Sequence, residues 1–380
     1  MITVLITGAH GFVGRNLGTK LKELKSSLII EVDIDSPPEL LERGLQEADI
    51  IFHLAGINRP LKTEEYAVGN TDFTREICDR LKSLGRKPAI IFSSSIQAEL
   101  DNPYGVSKRL AEEELLKFAR QKKSKVAIFR MKNIFGKWCR PNYNSVVATF
   151  CYNIARGFPI SISDPDRVIS LVHIDDVCAS MIQASGLSAE NPGGGVYQEV
   201  GPVFEISLGK LAERIKSFRD SRNNLYLPEL DDLFTRKLYG TYLSYLEGND
   251  FSYGLDIKSD PRGSLAEFLK GEDFGQIFVS RTKPGLTRGN HYHHTKAEKF
   301  LVVQGEANIR FRHIQGGEII EYVVSGDDFR VVDIPPGYTH SIENIGIGEL
   351  VTIFWADEVF DPNQPDTLFE EVVKTPGENA

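Results

Sequence analysis

"TVLITGAHGFVG", residues 3–14, runs a β-branched strand straight into Gly8, Gly11 and Gly14 and then into a helical pattern. Glycines at such a turn allow a tight reversal and let backbone N–H groups approach a pyrophosphate, whose charge the helix N-terminus also favours. The stretch therefore predicts a dinucleotide site. Outward from it, to about residue 185, runs such as "LIIEVD", "ADIIFHLAG", "AIIFSSS" and "KVAIFRM" alternate with helical patterns, among them Gly14 to Lys25, one after Asn70 and one after Pro103. Apolar strands separated by helices imply βαβ units, and so an α/β doubly wound parallel sheet covered on both faces.

After about residue 250 the pattern changes to strands and Gly-containing turns, as in "GQIFVSRT", "KFLVVQG", "FRVVDIPPG" and "ELVTIFWADEVF". In "ANIRFRH", Ile309 and Phe311 alternate with Asn308, Arg310 and Arg312, the period of a half-buried strand. An all-β sandwich or small barrel follows. The 380 residues suit two domains, expected at 1–247 and 248–380. A net charge of -9 argues against a general nucleic-acid or anionic-membrane binder, while leaving room for a local basic pocket. No run approaches the roughly 18 apolar residues of a membrane span. The N-terminus enters a strand without the basic and apolar regions of a signal peptide, and the expected location is cytoplasmic. Cys78, Cys139, Cys151 and Cys178 form no C-x-x-C pair and read as reduced thiols.

Three features of the first half carry chemistry. The end of "EVDID" offers Glu31 and Asp33 to an adenosine ribose hydroxyl, and an acid there discriminates against a 2′-phosphate. In "NPYGVSKRLAEEELL", Asn102 as N-cap and Pro103 in the first turn start a helix on which Tyr104 and Lys108 share a face. An ammonium near a phenol favours the phenolate, which suits Tyr104 to acid–base work. Just upstream, "FSSS" brings a hydroxyl to the same place.

With "HLAG" at 53–56, Asn70 in "VGNT", "RMKNIFG" and "LVHIDDV", these motifs resemble the extended short-chain dehydrogenase/reductase family over the first 245 or so positions. The resemblance implies a Rossmann-type fold and hydride transfer at a carbon–oxygen bond of a nucleotide-linked sugar, with NAD(P)H as cofactor. It implies cofactor contacts from Gly8, Gly11, Phe12, Val13, Gly14, Asp33, Leu54, Ala55, Gly56, Asn70, Tyr104 and Lys108. Tyr104 would donate the proton, Lys108 would bind the ribose and lower the Tyr104 pKa, and Ser95 or Ser94 would orient the carbonyl. Ser95 precedes Tyr104 by only nine positions, shorter than the family pattern. Asn133 would face the sugar nucleotide, and the fork of Arg167 suits its diphosphate.

In "GNHYHHTKAEKFLVVQGEA", residues 289–307, His291 and His293 alternate about Tyr292 and so point to one face of a strand. Glu298 can join them after a short turn, and His340 from another strand. Three imidazoles and a carboxylate suit Zn²⁺, with Ni²⁺, Fe²⁺ and Mn²⁺ as alternatives. The spacing Gly285, His291, His293, Glu298, Gly305 is similar to the first motif of the cupin superfamily, and "PPGYTHSIEN" to the second. The resemblance implies a double-stranded β-helix, or jelly roll, with a metal site. One glycine of the second motif is displaced: Phe329 holds its place, with Gly326 nearest. His294 and His313 fall outside the pattern. "SDPRGSLAEFL" is similar to the entry segment of cupin-fold sugar nucleotide 3,5-epimerases, which implies that Arg262 holds a diphosphate.

Over essentially the whole chain, the two halves resemble the CapF family of bifunctional capsular polysaccharide enzymes. The resemblance implies epimerisation of carbon 3 of UDP-2-acetamido-2,6-dideoxy-β-L-arabino-4-hexulose in the second half and reduction of carbon 4 in the first. The product would be UDP-2-acetamido-2,6-dideoxy-β-L-talose, on the route to UDP-N-acetyl-L-fucosamine for capsule or O-antigen. That family uses NADPH and is homodimeric; Asp33 adds NADH as an option. The competing expectation is a monofunctional sugar-nucleotide reductase or epimerase whose second half serves folding and dimerisation.

Overall fold

On β1 (Ile2–Thr7), Val4 and Ile6 point to one face of a sheet and Leu5 to the other, and all three are fully buried. A strand covered on both faces has to be apolar throughout, which is why "TVLIT" does not alternate. On one side β1 packs against Leu17 and Leu21 of α1 (Phe12–Glu23) and Val177 and Met181 of α6 (Ile174–Ser185). On the other lie Leu45 of α2 (Pro38–Glu47), Ile77 and Leu81 of α3 (Phe73–Ser83), and Leu115 and Phe118 of α4 (Pro103–Lys122). Each large apolar side chain buried in this way contributes about 1.5–3 kcal/mol.

The computed structural model describes residues 2–25, 27–187, 196–363 and 365–374. Its first sheet adds β2 (Ser27–Val32), β3 (Ile50–His53), β4 (Ala89–Ser95), β5 (Val126–Met131) and β8 (Tyr197–Gln198), in the order β2-β1-β3-β4-β5-β8 and parallel throughout. This is the expected doubly wound sheet. A smaller sheet joins β6 (Asn133–Phe135), β7 (Val168–His173) and β9 (Phe204–Ser207). Helices α5 (Val146–Ala155), α7 (Leu208–Asn224) and α8 (Leu233–Leu243) complete the helical set.

The remaining strands run antiparallel in two sheets. One contains β10 (Ile257–Asp260), β11 (Gly263–Gly271), β12 (Gly275–Thr282), β19 (Leu350–Ala356), β14 (Glu298–Gln304) and β17 (Val331–Ile334). The other contains β16 (Ile320–Ser325), β15 (Glu306–His313), β18 (Tyr338–Asn344), β13 (Thr287–Tyr292) and β20 (Leu368–Phe369). Phe300, Val302, Ile309, Phe311, Ile342 and Phe354 fill the space inside.

Residues 1–216 with 231–246 form one compact unit, and residues 217–230 with 247–380 the other. Beside the boundary between 246 and 247, residues 217–230 also belong to the β unit, where Lys270 exchanges backbone hydrogen bonds with Leu225 and Leu227, both 2.8 Å. Phe329 supplies another difference. Gly285, Gly305 and Gly337 all have positive φ, and Phe329 joins them at φ 43°. Gly326 does not take over the missing turn; a phenylalanine adopts the left-handed conformation itself.

Candidate functional site

The strand order of the first sheet reverses between β1 and β3, and sheets of this kind bind ligands beyond the carboxyl ends of their strands at that point. A cleft of about 930 Å³ opens there. Gly8, at φ 72°, turns so close to the loop after β3 that a Cβ would stand 2.7 Å from Ala55 N. A Cβ on Gly14 would meet Gly8 O at 2.2 Å, so the first turn of α1 depends on that glycine too. Gly8, Gly11, Phe12, Val13, Gly14, Leu54 and Gly56 line the cleft. Ala55 does not; its backbone lies against Gly8.

Asp33 and Glu31 separate clearly. Asp33 accepts hydrogen bonds from His10 N (2.7 Å) and Ile34 N (2.8 Å), which ties the end of β2 to the glycine loop. Glu31 instead pairs with Lys22 at 2.8 Å. Asn70 stands outside the cleft, buried in a widened π-helical turn, Ala67–Asp72. Its side chain accepts from Ile57 N and donates to Ile57 O, both 2.9 Å, and to Ser107 Oγ at 3.0 Å. With those groups engaged, Asn70 braces the loop after β3, and a Cβ on the cleft residue Gly56 would stand 2.7 Å from its Oδ1. His53 is held neutral between Thr7 Oγ1 (2.7 Å) and Thr74 Oγ1 (2.9 Å), burial and then Lys108 pushing its pKa to about 3.

Asn102 caps α4 as expected, accepting from Gly105 N at 2.8 Å. Tyr104 is hydrogen-bonded to Ser95, and Lys108, 5 % exposed, donates to Ser93 O at 3.0 Å. The two serines differ. Both line the cleft, but Ser94 Oγ is buried and donates to Glu112 Oε1 at 2.5 Å, whereas Ser95 stands beside the phenol. Burial pushes the Lys108 ammonium down to about 8, against the pull of Glu112. Burial also holds the Tyr104 phenol above its ordinary value, opposed by Ser95. The expected lowering of Tyr104 by Lys108 is thus outweighed by desolvation of the phenol.

The charged side chains of the cleft are cationic. Arg15, Lys108, Lys132, Arg140 and Arg156 line it, and none of the described lining residues is Asp or Glu. Trp138, at φ 70°, stacks its ring against Arg15 with the guanidinium 5.4 Å from the centroid. Asn133 lines the cleft and donates to Ser170 O at 3.2 Å. Arg167 does not: its side chain is exposed outside the cleft, which corrects its expected place beside the substrate.

In the β unit, His291 and His340 are direct partners across β13 and β18, just after a bulge. Glu298 opens β14, and its Oε2 lies 3.3 Å from Nε2 of both His293 and His340. Ligand atoms of these four residues lie within 4.8 Å of one another. Both Nε2 atoms are buried and make no hydrogen bond of good geometry. His293 Nδ1 bonds to Asp366 O, His340 Nδ1 to Tyr338 O (3.4 Å), and His291 to the Gly289 backbone. A carbonyl only accepts, so Nδ1 of His293 and His340 carries a proton and Nε2 is the nitrogen turned toward Glu298. Burial, then His340, pushes His291 down to about 4. Burial pushes the Glu298 carboxyl up, but His293 and His340 outweigh it and hold it far below the usual range. The donor set fits a divalent metal. His294 and His313 stand outside it. Arg262 is forked onto Asp260 at 2.6 and 3.1 Å, so the groups expected to hold a diphosphate brace the turn into β11.

Residues 4–198 match the NAD dependent epimerase/dehydratase family, and residues 258–368 the polysaccharide biosynthesis C-terminal domain. UDP-2-acetamido-2,6-beta-L-arabino-hexul-4-ose reductase of Pseudomonas aeruginosa is 45% identical over 96% of this chain and 97% of that protein. The capsular polysaccharide assembling protein CapF from Staphylococcus aureus superposes with a TM-score of 0.91 at 49% identity, covering 97% of this chain and 100% of its own. The chain belongs to the CapF family. Membership makes it an enzyme of polysaccharide biosynthesis whose first unit uses a nicotinamide cofactor. A UDP-glucuronic acid 4-epimerase from Bacillus cereus shares only the fold of that unit, with 18% identity and a TM-score of 0.51 over 57% of this chain and 83% of its own.

Sequence reasoning missed two features of this chain. Glu112, two turns beyond Tyr104, is buried and binds Arg130 at 2.7 and 3.1 Å as well as Ser94. The four-residue spacing of Tyr104, Lys108 and Glu112 was the available signal. Asp366 had none, because it meets the cluster only through tertiary structure.

Proposed function

We propose that this chain is a bifunctional sugar-nucleotide enzyme acting on UDP-2-acetamido-2,6-dideoxy-β-L-arabino-4-hexulose. The β unit epimerises carbon 3, and the α/β unit then reduces carbon 4 with NADPH, NADH being an option that Asp33 leaves open. The product is UDP-2-acetamido-2,6-dideoxy-β-L-talose, on the route to UDP-N-acetyl-L-fucosamine for capsule or O-antigen. The reading is carried by one observation: a CapF-family chain holds a reductive set, Tyr104, Ser95 and Lys108, in a cleft lined by cations without carboxylates, and a separate three-histidine, one-glutamate set in its other unit.

An acid-free cationic cleft suits a guest with phosphates at both ends, here a dinucleotide and a UDP-sugar. Reduced nicotinamide supplies the hydride when bound. Tyr104 gives its phenolic proton to the oxygen on carbon 4 and recovers one from solvent, Ser95 orients that oxygen, and Lys108 holds the cofactor ribose. Asn133 contacts the sugar nucleotide, and Arg140 and Lys132 take the phosphate role first given to Arg167. In the β unit, a ketone at carbon 4 acidifies the proton on carbon 3, so its removal and return on the other face inverts the centre without net redox change. A divalent metal, which we read as Zn²⁺, would be held by His291, His293, Glu298 and His340 and supply a Lewis acid there.

The free cysteines and the lack of a described helix long and apolar enough to cross a membrane support action in the cytoplasm. On the outer face of the larger β sheet, Val279, Ile353, Leu301 and Val331 form one apolar row across four strands, which supports a homodimer.

Proton NMR in D₂O tests the reading. The protein with the UDP-4-ketohexulose and no reduced cofactor is expected to place deuterium at carbon 3, and NADPH is then expected to give one 6-deoxy-talose product. Reduction without exchange at carbon 3 would leave a monofunctional reductase whose β unit is structural.

A further inference from the structure

The last described segment of the chain, residues 365–374, lies along the strand that carries His291 and leads into His293. Phe369 pairs with His291 and Leu368 with Tyr292 as β20 runs antiparallel to β13. Val372, fully buried, anchors its far end. The buried Arg312 side chain donates to Val372 O at 2.9 Å and to Glu371 O at 2.6 Å, and pairs with Glu370 at 3.0 Å. Thr339, next to His340 in the chain, donates its hydroxyl to Glu370 O. Glu370 N donates to Asn290 O at 3.0 Å, and Asn290 precedes His291 in a left-handed conformation at φ 59°. Each of the three histidines is thus held, directly or through a neighbour, by this one segment.

Asp366 does the most specific work. Its carbonyl accepts from Nδ1 of His293 and so turns Nε2 toward Glu298. Its carboxylate accepts from His294 N (2.9 Å), Thr295 N (2.7 Å), Lys296 N (3.0 Å) and Thr295 Oγ1 (2.9 Å). Those amides belong to the turn that joins His293 to Glu298. One residue therefore fixes the tautomer of one histidine through its backbone carbonyl and the span between it and the glutamate through its carboxylate. Partners of this kind, one step removed from a metal, orient its ligands.

We propose that Asp366 is a positioning residue of the metal cluster, and that the segment from Asp366 to Val372 sets the affinity of the cluster for a divalent cation. The inference rests on reading the four residues as a metal site, and the experiment separates the two. The metal-free full-length protein is titrated with Zn²⁺ against a chromophoric chelator, well below its melting temperature, with NADPH binding as the check that the other unit is intact. Asp366→Ala is expected to weaken Zn²⁺ binding by about ten- to hundredfold. Asp366→Asn, which keeps an acceptor oxygen and is the gentler change if the alanine variant fails to fold, is expected to lie between. Affinities within twofold of the parent for the folded variants would overturn the inference alone. A parent protein that takes up no Zn²⁺ would overturn the metal reading, and the inference with it.

Discussion

In the α/β unit, Tyr104, Lys108 and Glu112 leave successive turns of one helix, whereas the metal-type cluster of the β unit gathers His291, Glu298 and His340 from three strands and His293 from the turn after the first. The helix supplies its own spacing, because residues four apart stand on one face whatever surrounds them. Its difficulty is desolvation: Lys108 and Glu112 are 5 % and 1 % exposed, and each needs a partner, Ser93 O for one and Arg130 for the other. Strands supply alternation but no fixed distance between neighbours, so the cluster needs backbone support from elsewhere, which Asp366 and the final segment provide. The helix-borne centre is sensitive to charge, the strand-borne one to backbone geometry.

The sharpest way to separate the two centres is Tyr104→Phe. It should lower the rate of carbon-4 reduction by about 10²- to 10⁴-fold while the NADPH dissociation constant and deuterium entry at carbon 3 stay at parental values. Single-turnover NADPH oxidation and the exchange assay read the two sides. A parallel loss of exchange would mean that the centres are not independent.

A smaller effect follows from burial of Lys108. With its folded pKa at about 8 and the unfolded value at 10.5, the unfolded chain holds more protons between them, so the contribution of this group to stability rises with pH across that window. Cofactor affinity should move the other way. As pH rises through about 8 the ammonium is lost, and NADPH binding should weaken by up to about tenfold per pH unit, as followed by titration. Lys108→Met should bind weakly with a flat profile, and a parent profile flat to pH 10 would break the argument.

The smallest effect belongs to the strand side. Phe329 holds a left-handed turn, which costs a non-glycine residue about 1–2 kcal/mol. Glycine there relieves that cost but loses about 0.5–1 kcal/mol in chain entropy. Phe329→Gly should therefore stabilise the β unit by about 0.5–1 kcal/mol, read as a higher denaturant midpoint. A lower midpoint would show that the exposed phenyl ring contributes to packing.

These contrasts explain what could be read from the chain alone. Motifs contiguous in sequence were legible: the glycine turn, the Tyr104–Lys108 spacing, the cap at Asn102 and the alternation of His291 with His293 all express local backbone periods. The fold class was legible for the same reason. Arg167 was misplaced because its position depends on where a loop runs. Asn70 was found, but only the structure reveals Ile57 and Ser107 occupying its amide. What distinguishes Ser94 from Ser95 is Glu112, eighteen positions along from Ser94, whose carboxylate accepts from the first serine. At Phe329 the residue type gave the wrong turn chemistry, because the surrounding strands impose a conformation that its side chain disfavours.

The acid-free cleft has a consequence for how this chain meets its guests. A protein of net charge -9 repels nucleotides on average, and in dilute buffer that repulsion reaches far from the surface. At physiological ionic strength, charges more than about 8 Å apart are largely screened. An arriving phosphate then senses Arg15, Lys132 and Arg140 at the mouth and little of the acidic exterior. Salt in this range hides the body of the protein from its substrate and leaves the entrance visible.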